Sequence, residues 1–235
     1  MSIAENVVAI KAQIRAAALA AGRNPDEIQL CAATKMNDAD AVRQAIAAGV
    51  DCCGENRVQE LTAKYAQGAY DGAPVHFIGH LQTNKVKQVV GKVDLIQSVD
   101  SLRLAQAIDK EAARQGIIQD ILLEINVGNE ESKSGFDADS LHEILPEFSN
   151  FCNLRVCGLM AIPPICQNNA DSRKFFQKIY ALSVDITAKK YDNISVRLLS
   201  MGMSGDFEHA IACGSNMIRV GTAIFGARNY NSSHQ

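Results

Sequence analysis

Short apolar runs alternate with stretches of helical period along the chain. The runs fall at 28–34, 50–54, 75–78, 93–98, 118–126, 154–160, 195–199 and 216–220. Between them apolar residues recur at three- and four-residue spacing, which predicts helices over about 38–48, up to 66 after Arg57, 83–90, 102–115, 139–148, 170–190 and 206–212. In the long helix at 170–190, Phe176, Ile179, Tyr180, Val184 and Ile186 form one apolar side. Ahead of the first run, Ser2-Ile-Ala-Glu5 is a capping box. Ile3, Val7, Ile10 and Ile14 continue it as an amphipathic helix to a stop at Gly22 and Pro25. The segments at 65–74 and 128–135 are polar or turn-rich and are expected as loops.

Continuous apolar strands separated by helices mean a parallel sheet covered on its outer face. Eight strand-then-helix units in this length suit a (β/α)8 TIM barrel with an extra N-terminal helix, and an open doubly wound sheet is the alternative. No linker, repeat or low-complexity tract divides the chain, so 1–235 is expected to be a single domain.

Composition narrows the partners. With 47% hydrophobic residues the chain can bury a large core, and a net charge of −3 argues against binding nucleic acid through its phosphates. The seven cysteines, Cys31, Cys52, Cys53, Cys152, Cys157, Cys166 and Cys213, are odd in number and match no metal-ligand spacing. They read as buried free thiols in a reducing compartment, with Cys52 and Cys53 on opposite faces of one strand. No apolar run approaches the ~18 residues of a membrane span and no signal peptide opens the chain, so a soluble cytoplasmic protein is expected.

The chemistry gathers at strand ends. The first run delivers Lys35 at its carboxyl end, just before Asn37-Asp38 open a helix. A lysine at the mouth of an apolar strand loses hydration, which favours the neutral amine that attacks carbonyls, although a lone lysine is more often a solvated loop residue. The other strand ends offer Asn56, His80, Asn126, Met160, Ser200 and Arg219 with Gly221-Thr222. The loops after strands 7 and 8 of such a barrel commonly cradle phosphate. Here they read Ser200-Met-Gly-Met-Ser204 and Arg219-Val-Gly-Thr222, with hydroxyls, glycines and a helix start suited to an anion. A lysine and a phosphate cradle on one rim fit either pyridoxal 5′-phosphate or a class I aldolase, and an aldolase lysine would be expected on a later strand.

Several runs together resemble the pyridoxal phosphate homeostasis protein family. They are Ala33-Thr-Lys35, Cys53-Gly-Glu-Asn56, His76-Phe-Ile-Gly79, Leu81-Gln-Thr-Asn-Lys85, Lys133-Ser-Gly135, Gly158-Leu-Met-Ala-Ile-Pro163, Leu199-Ser-Met-Gly-Met-Ser204 and Arg219-Val-Gly-Thr-Ala-Ile-Phe-Gly226. The likeness runs from about 28 to 228. Its departures are Cys53, where an aromatic residue is common, and Arg57. The resemblance implies a fold-type III PLP barrel, like the barrel half of alanine racemase, without the C-terminal β-domain. It implies Lys35 carrying the cofactor as an aldimine, Ser200, Gly221 and Thr222 holding its phosphate with backbone help at Met201, and Arg219 facing the pyridine nitrogen. Asn56 would lie near the ring's polar edge, with His80 and Met160 lining the pocket. Apart from the resemblance, Lys133 in the 128–135 loop is a candidate second contact but reads first as a solvated lysine. A permanently cationic guanidinium cannot take a proton from the ring, which makes the ring a poorer electron sink.

Related racemases draw a second base, a tyrosine, from the further β-domain, and here only Tyr230 in a short tail could be imagined in that role. The expectation is therefore an intracellular PLP carrier with little or no catalysis and with PLP-dependent apoenzymes as recipients. A monomer is expected. The alternative is a small amino-acid racemase or decarboxylase of the same fold type.

Overall fold

The computed structural model describes residues 1–128, 130, 133–164 and 169–226, with backbone alone at 169–171. Cys166 and Tyr230 lie outside the described residues. Strands β1 (Gln29–Ala33), β2 (Cys52–Glu55), β3 (Val75–Phe77), β4 (Leu95–Val99) and β5 (Gln119–Asn126) pair in chain order. A two-residue β6 (Phe136–Asp137) attaches only to the end of β5. The ring continues through β7 (Leu154–Ala161), β8 (Ile194–Ser200) and β9 (Met217–Val220), and β9 returns to β1. All pairings are parallel, and Cys31 stands opposite both Cys52 and Arg219. The result is a closed eight-stranded TIM barrel, and the open sheet is excluded.

Helices α1 (Ile3–Ala20), α2 (Ala39–Ala47), α3 (Val58–Ala66), α4 (Leu102–Gln115), α5 (Leu141–Ile144), α6 (Asn169–Lys189), α7 (Phe207–Ala212) and α8 (Thr222–Phe225) surround it. Local chemistry sets several of their ends. The Ser2–Glu5 capping box is formed, Asp38 accepts the Ala41 N–H at 2.8 Å, and Ser101 accepts that of Leu104 at 3.3 Å. Gly116 ends α4 in the left-handed conformation that spares glycine a Cβ clash.

Two cores result, as barrel geometry requires. The larger lies between strands and helices and includes Cys53. The smaller fills the barrel: Leu95, Leu122, Cys157 and Met160 on one side, Cys31, Cys52 and Met217 on the other, with Leu198 touching both. Cys52 and Cys53 thus do point to opposite faces. Gly158 allows β7 and β8 to meet, since a Cβ there would stand 1.9 Å from the Leu198 carbonyl oxygen.

Three expected helices differ. Over 83–90 the chain forms a 3₁₀ turn, Thr83–Gln88. Gln82 gives it no side-chain cap, and the three-residue spacing of buried Val86 and Val89 suits that tighter winding. The helix expected over 139–148 is four residues long and gives way to a 3₁₀ segment, Leu145–Asn150, because Pro146 supplies no N–H to continue the α-pattern. In α6 the buried line runs through Ser172, Phe176, Ile179, Ser183 and Ile186, whereas Tyr180 and Val184 are about half exposed on its flank.

Candidate functional site

The loops that follow β1 and β9 open side by side, because those strands are paired neighbours with Ala32 opposite Val220. Lys35 lies two residues past β1 and is half-buried, and Asn37 Nδ2 donates to its carbonyl at 3.0 Å. Gly221 and Thr222 follow β9 directly. A Cβ built at Gly221 would stand 3.4 Å from both the Cβ and the carbonyl oxygen of Ala33. Thr222 and Ala223 open α8, and first-turn N–H groups have no partner within their own helix.

Arg219 points into the barrel and is buried. Its Nη1 donates to the Ser200 carbonyl at 2.7 Å and to Ser200 Oγ at 2.6 Å, and its Nη2 donates to the Ala161 carbonyl at 3.0 Å. These bonds leave donors of the guanidinium uncommitted. Burial pulls its basicity down, opposed by the charges of Cys31, Glu124 and Asp206. Arginine nevertheless stays cationic.

From Arg219 a polar chain descends through the barrel. Ser200 Oγ accepts from the guanidinium, so its own proton goes to Gln97 Oε1 at 2.6 Å. Gln97 Nε2 then faces His76 Nδ1 at 2.9 Å and Met217 Sδ at 3.1 Å. His76 Nδ1 is thereby an acceptor, which places the ring proton on Nε2. The chain ends at a buried group of Cys31, Cys52 and His76 whose donor atoms lie within 4.8 Å of one another. Linear spacing shows no metal-like pattern, yet barrel register assembles these three side chains from three neighbouring strands. Hydrogen bonds from Cys52 and then His76 hold the Cys31 thiol below its ordinary range, while the Cys52 thiol is pushed up. A proton on Nε2 makes this a hydrogen-bonded thiol cluster.

The expected phosphate ligands divide. Gly221 and Thr222 open at the rim beside Lys35. The Ser200 hydroxyl does not face the rim, because it is fully buried between Gln97 and Arg219. The Met201 N–H is likewise engaged, donating to the Met217 carbonyl at 3.1 Å. Met160 is buried in the inner core opposite Ser200 on β8. Asn56 follows β2 with a buried Oδ1 that has no hydrogen-bond partner among the described residues. His80 is largely exposed and pairs with Asp100, Nδ1 to Oδ2 at 3.2 Å. Asn126 organises the loop after β5, donating to the carbonyls of Glu130 and Lys133 and accepting the Glu130 N–H. Lys133 pairs with Glu130 at 2.5 Å.

Pattern reading misses several participants. Glu124 stands between the inward residues Leu122 and Asn126 of β5, and an acid in that strongly apolar run is its one sequence signal. Burial and then Asp100 raise its carboxyl, against Arg219 and His80. Also missed is a buried group beneath Lys35. Lys64 Nζ meets Glu55 Oε1 at 2.5 Å and the Thr34 carbonyl at 2.7 Å, and Thr34 Oγ1 donates to Glu55 Oε1 at 2.6 Å. In sequence Glu55 and Lys64 look like surface charges. In the fold Glu55 is fully buried and Lys64 is 6% exposed.

The family described as alanine racemase, N-terminal domain, matches residues 6–229. The pyridoxal phosphate homeostasis protein of Aquifex aeolicus (strain VF5) is 41% identical over 230 residues, covering 98% of this chain and all of that one. PipY of Synechococcus elongatus PCC7942, solved with PLP bound, superposes with a TM-score of 0.83 at 33% identity, covering 96% of this chain and 100% of its own. An alanine racemase of Clostridium difficile 630 shares the fold, with a TM-score of 0.68 at 16% identity, and this chain spans 57% of it.

Proposed function

Since the chain belongs to the pyridoxal phosphate homeostasis protein family, built on the alanine racemase N-terminal barrel, we propose that it binds pyridoxal 5′-phosphate and serves in keeping and delivering that cofactor. When bound, the cofactor supplies an aldehyde able to condense with a primary amine, together with an anionic phosphate and a pyridine ring. The observation that carries the reading is the pairing of β1 with β9, which opens the Lys35 loop beside Gly221-Thr222. The orphaned Asn56 Oδ1 adds a test of fit, since a buried acceptor without a donor is costly unless a ligand supplies one.

The residues divide the work. Lys35 is the site of covalent attachment. Gly221 and Thr222 hold the phosphate through the glycine's bare backbone and the first N–H groups of α8. Arg219 turns its uncommitted donors to the ring nitrogen, and Ser200 and Met201 support that end from beneath rather than through the hydroxyl. Asn56 meets the polar edge, and His80 and Met160 line the pocket. A guanidinium held by three acceptors cannot protonate the ring, which favours storage over carbanion chemistry. The protein is thus read as a single-domain, monomeric carrier in a reducing cytoplasm, with PLP-dependent apoenzymes as its recipients.

Pure protein should be yellow. Borohydride should fix one cofactor mass on Lys35, and Lys35→Ala should lose that mass while retaining weaker binding through the phosphate. Incubation with single L-amino acids should give no D-isomer or amine. Turnover above about 1 s⁻¹, an ordinary enzyme rate, would replace the carrier with a racemase or decarboxylase. A colourless protein that takes up no added cofactor would remove the reading altogether.

A further inference from the structure

The backbone around Lys35 is held by its own turn, through Asn37 N–H to the Thr34 carbonyl at 3.2 Å and Asn37 Nδ2 to the Lys35 carbonyl at 3.0 Å, and from one helix. Two peptide planes flank its Cα, and fixing both fixes its φ and ψ and hence the direction of its side chain. In the first plane the Thr34 carbonyl accepts from Lys64 Nζ at 2.7 Å. In the second the Met36 N–H donates to Glu60 Oε2 at 2.6 Å. Lys64 and Glu60 both lie on α3, one turn apart, with Nζ to Oε2 at 3.6 Å. The ammonium's third partner is buried Glu55, so its three donors face three oxygens.

The turn so held is strained. Met36 has φ +62, the left-handed region that non-glycine residues avoid. It is 52% exposed, so side-chain packing does not impose that conformation; it stands third in the hydrogen-bonded Thr34–Asn37 turn, a place that calls for positive φ and usually for glycine. A buried ion pair is also a poor device for stability alone, because desolvation offsets its attraction. A strained residue and a buried charge group therefore meet on the same three-residue turn, and strain persists only where the surroundings impose it.

We infer that Lys64 and Glu60 are positioning residues that clamp both peptide planes of Lys35 and so aim its amine at the cofactor. This rests on the reading of Lys35 given above. It concerns the protein's own backbone, and neither residue need touch the cofactor.

Lys64→Met alone would strand a buried carboxylate and endanger folding. The informative variants are Glu60→Ala, which keeps the Lys64–Glu55 pair, and the double variant Glu55→Leu/Lys64→Met, which replaces the pair by apolar groups of similar size. Each is made with Met36 and with Met36→Gly, since glycine adopts positive φ without strain. Two quantities are measured: cofactor mass fixed on Lys35 by borohydride at limiting PLP, and affinity for pyridoxine 5′-phosphate, which has the phosphate and ring but no aldehyde.

Glu60→Ala and the double variant should lower covalent occupancy about tenfold, the equilibrium effect of one left-handed residue. Affinity for pyridoxine 5′-phosphate should stay within about twofold. Met36→Gly should restore most of the covalent occupancy in both backgrounds. Wild-type trapping in the variants, parallel loss of pyridoxine 5′-phosphate binding, or no rescue by Met36→Gly would each overturn the inference. Failure of the wild-type protein to trap any cofactor would instead overturn the proposed function.

Discussion

A guanidinium inside a barrel needs acceptors, and Arg219 finds them on β7 and β8, at Ala161 and Ser200. Because arginine only donates, it gives direction to every bond below it: Ser200 to Gln97, Gln97 to His76, and the imidazole proton toward the thiols. With the hydrogen bond from Cys52, this predicts a Cys31 thiol that ionises more readily than an ordinary one. Thiolate absorbance near 240 nm should titrate below the ordinary thiol range and vanish in Cys31→Ser, and Gln97→Leu should move that titration upward. An unchanged profile in Gln97→Leu would break the relay. Single residues were unevenly legible in sequence. The places of Lys35, Asn56 and Arg219 near strand ends were readable because each lies at or beside the end of an apolar run. The Cys31–Cys52–His76 group was not, since its members are more than twenty positions apart and meet only through strand register. Ser200 was half legible: its position at a strand end could be read, but not the inward turn of its hydroxyl.

At the scale of elements, strands were easier to find than helices. Strands buried on both faces carry continuous apolar runs, whereas the 3₁₀ segments at Thr83–Gln88 and Leu145–Asn150 share apolar spacing with true helices and differ only in caps and in Pro146. The loop between β8 and α7 depends on Gly202, whose φ is +95 and where a Cβ would stand 2.6 Å from that of Ala210. Gly202→Ala should destabilise by about 1–3 kcal/mol through strain and overpacking, read as a lower urea midpoint at unchanged slope. In the last turn of α4, Arg114 and then Gln115 hold the Glu111 carboxyl at about 2, from an ordinary 4.5. The folded value is the lower one, so this stabilisation is complete above pH 4.5 and fades as pH falls toward 2. Arg114 is mostly in water, which keeps the pair's contribution small. The small gap in melting temperature between wild type and Glu111→Gln should close over that window, and a gap that persists at pH 2 would contradict the assignment.

For the whole molecule, the barrel was legible and its seam was the informative part. No helix among the described residues is long and apolar enough to cross a membrane. The candidate site draws on β1 and β9, the first and last strands, so a ligand held there bridges the two ends of the ring. Binding to the folded state alone should add about 2.7 kcal/mol at a hundred times the dissociation constant. Scanning calorimetry should therefore show PLP raising the melting temperature of wild type more than that of Lys35→Ala. Pyridoxal, which lacks the phosphate, should raise either one least.

The seam has a further consequence for synthesis. The first helix and the turn after it also close onto the last helices, with Asn6 Nδ2 donating to the Ile224 carbonyl at 2.8 Å and Arg23 Nη1 to that of Ile211 at 2.8 Å. While a ribosome is still making this protein, α1 and β1 have emerged long before the neighbours they are shaped to meet. Their apolar edges must wait until β9 and α8 have been made. Competence to capture a ligand then arrives late and all at once, and a chain released early would hold only half of a grip.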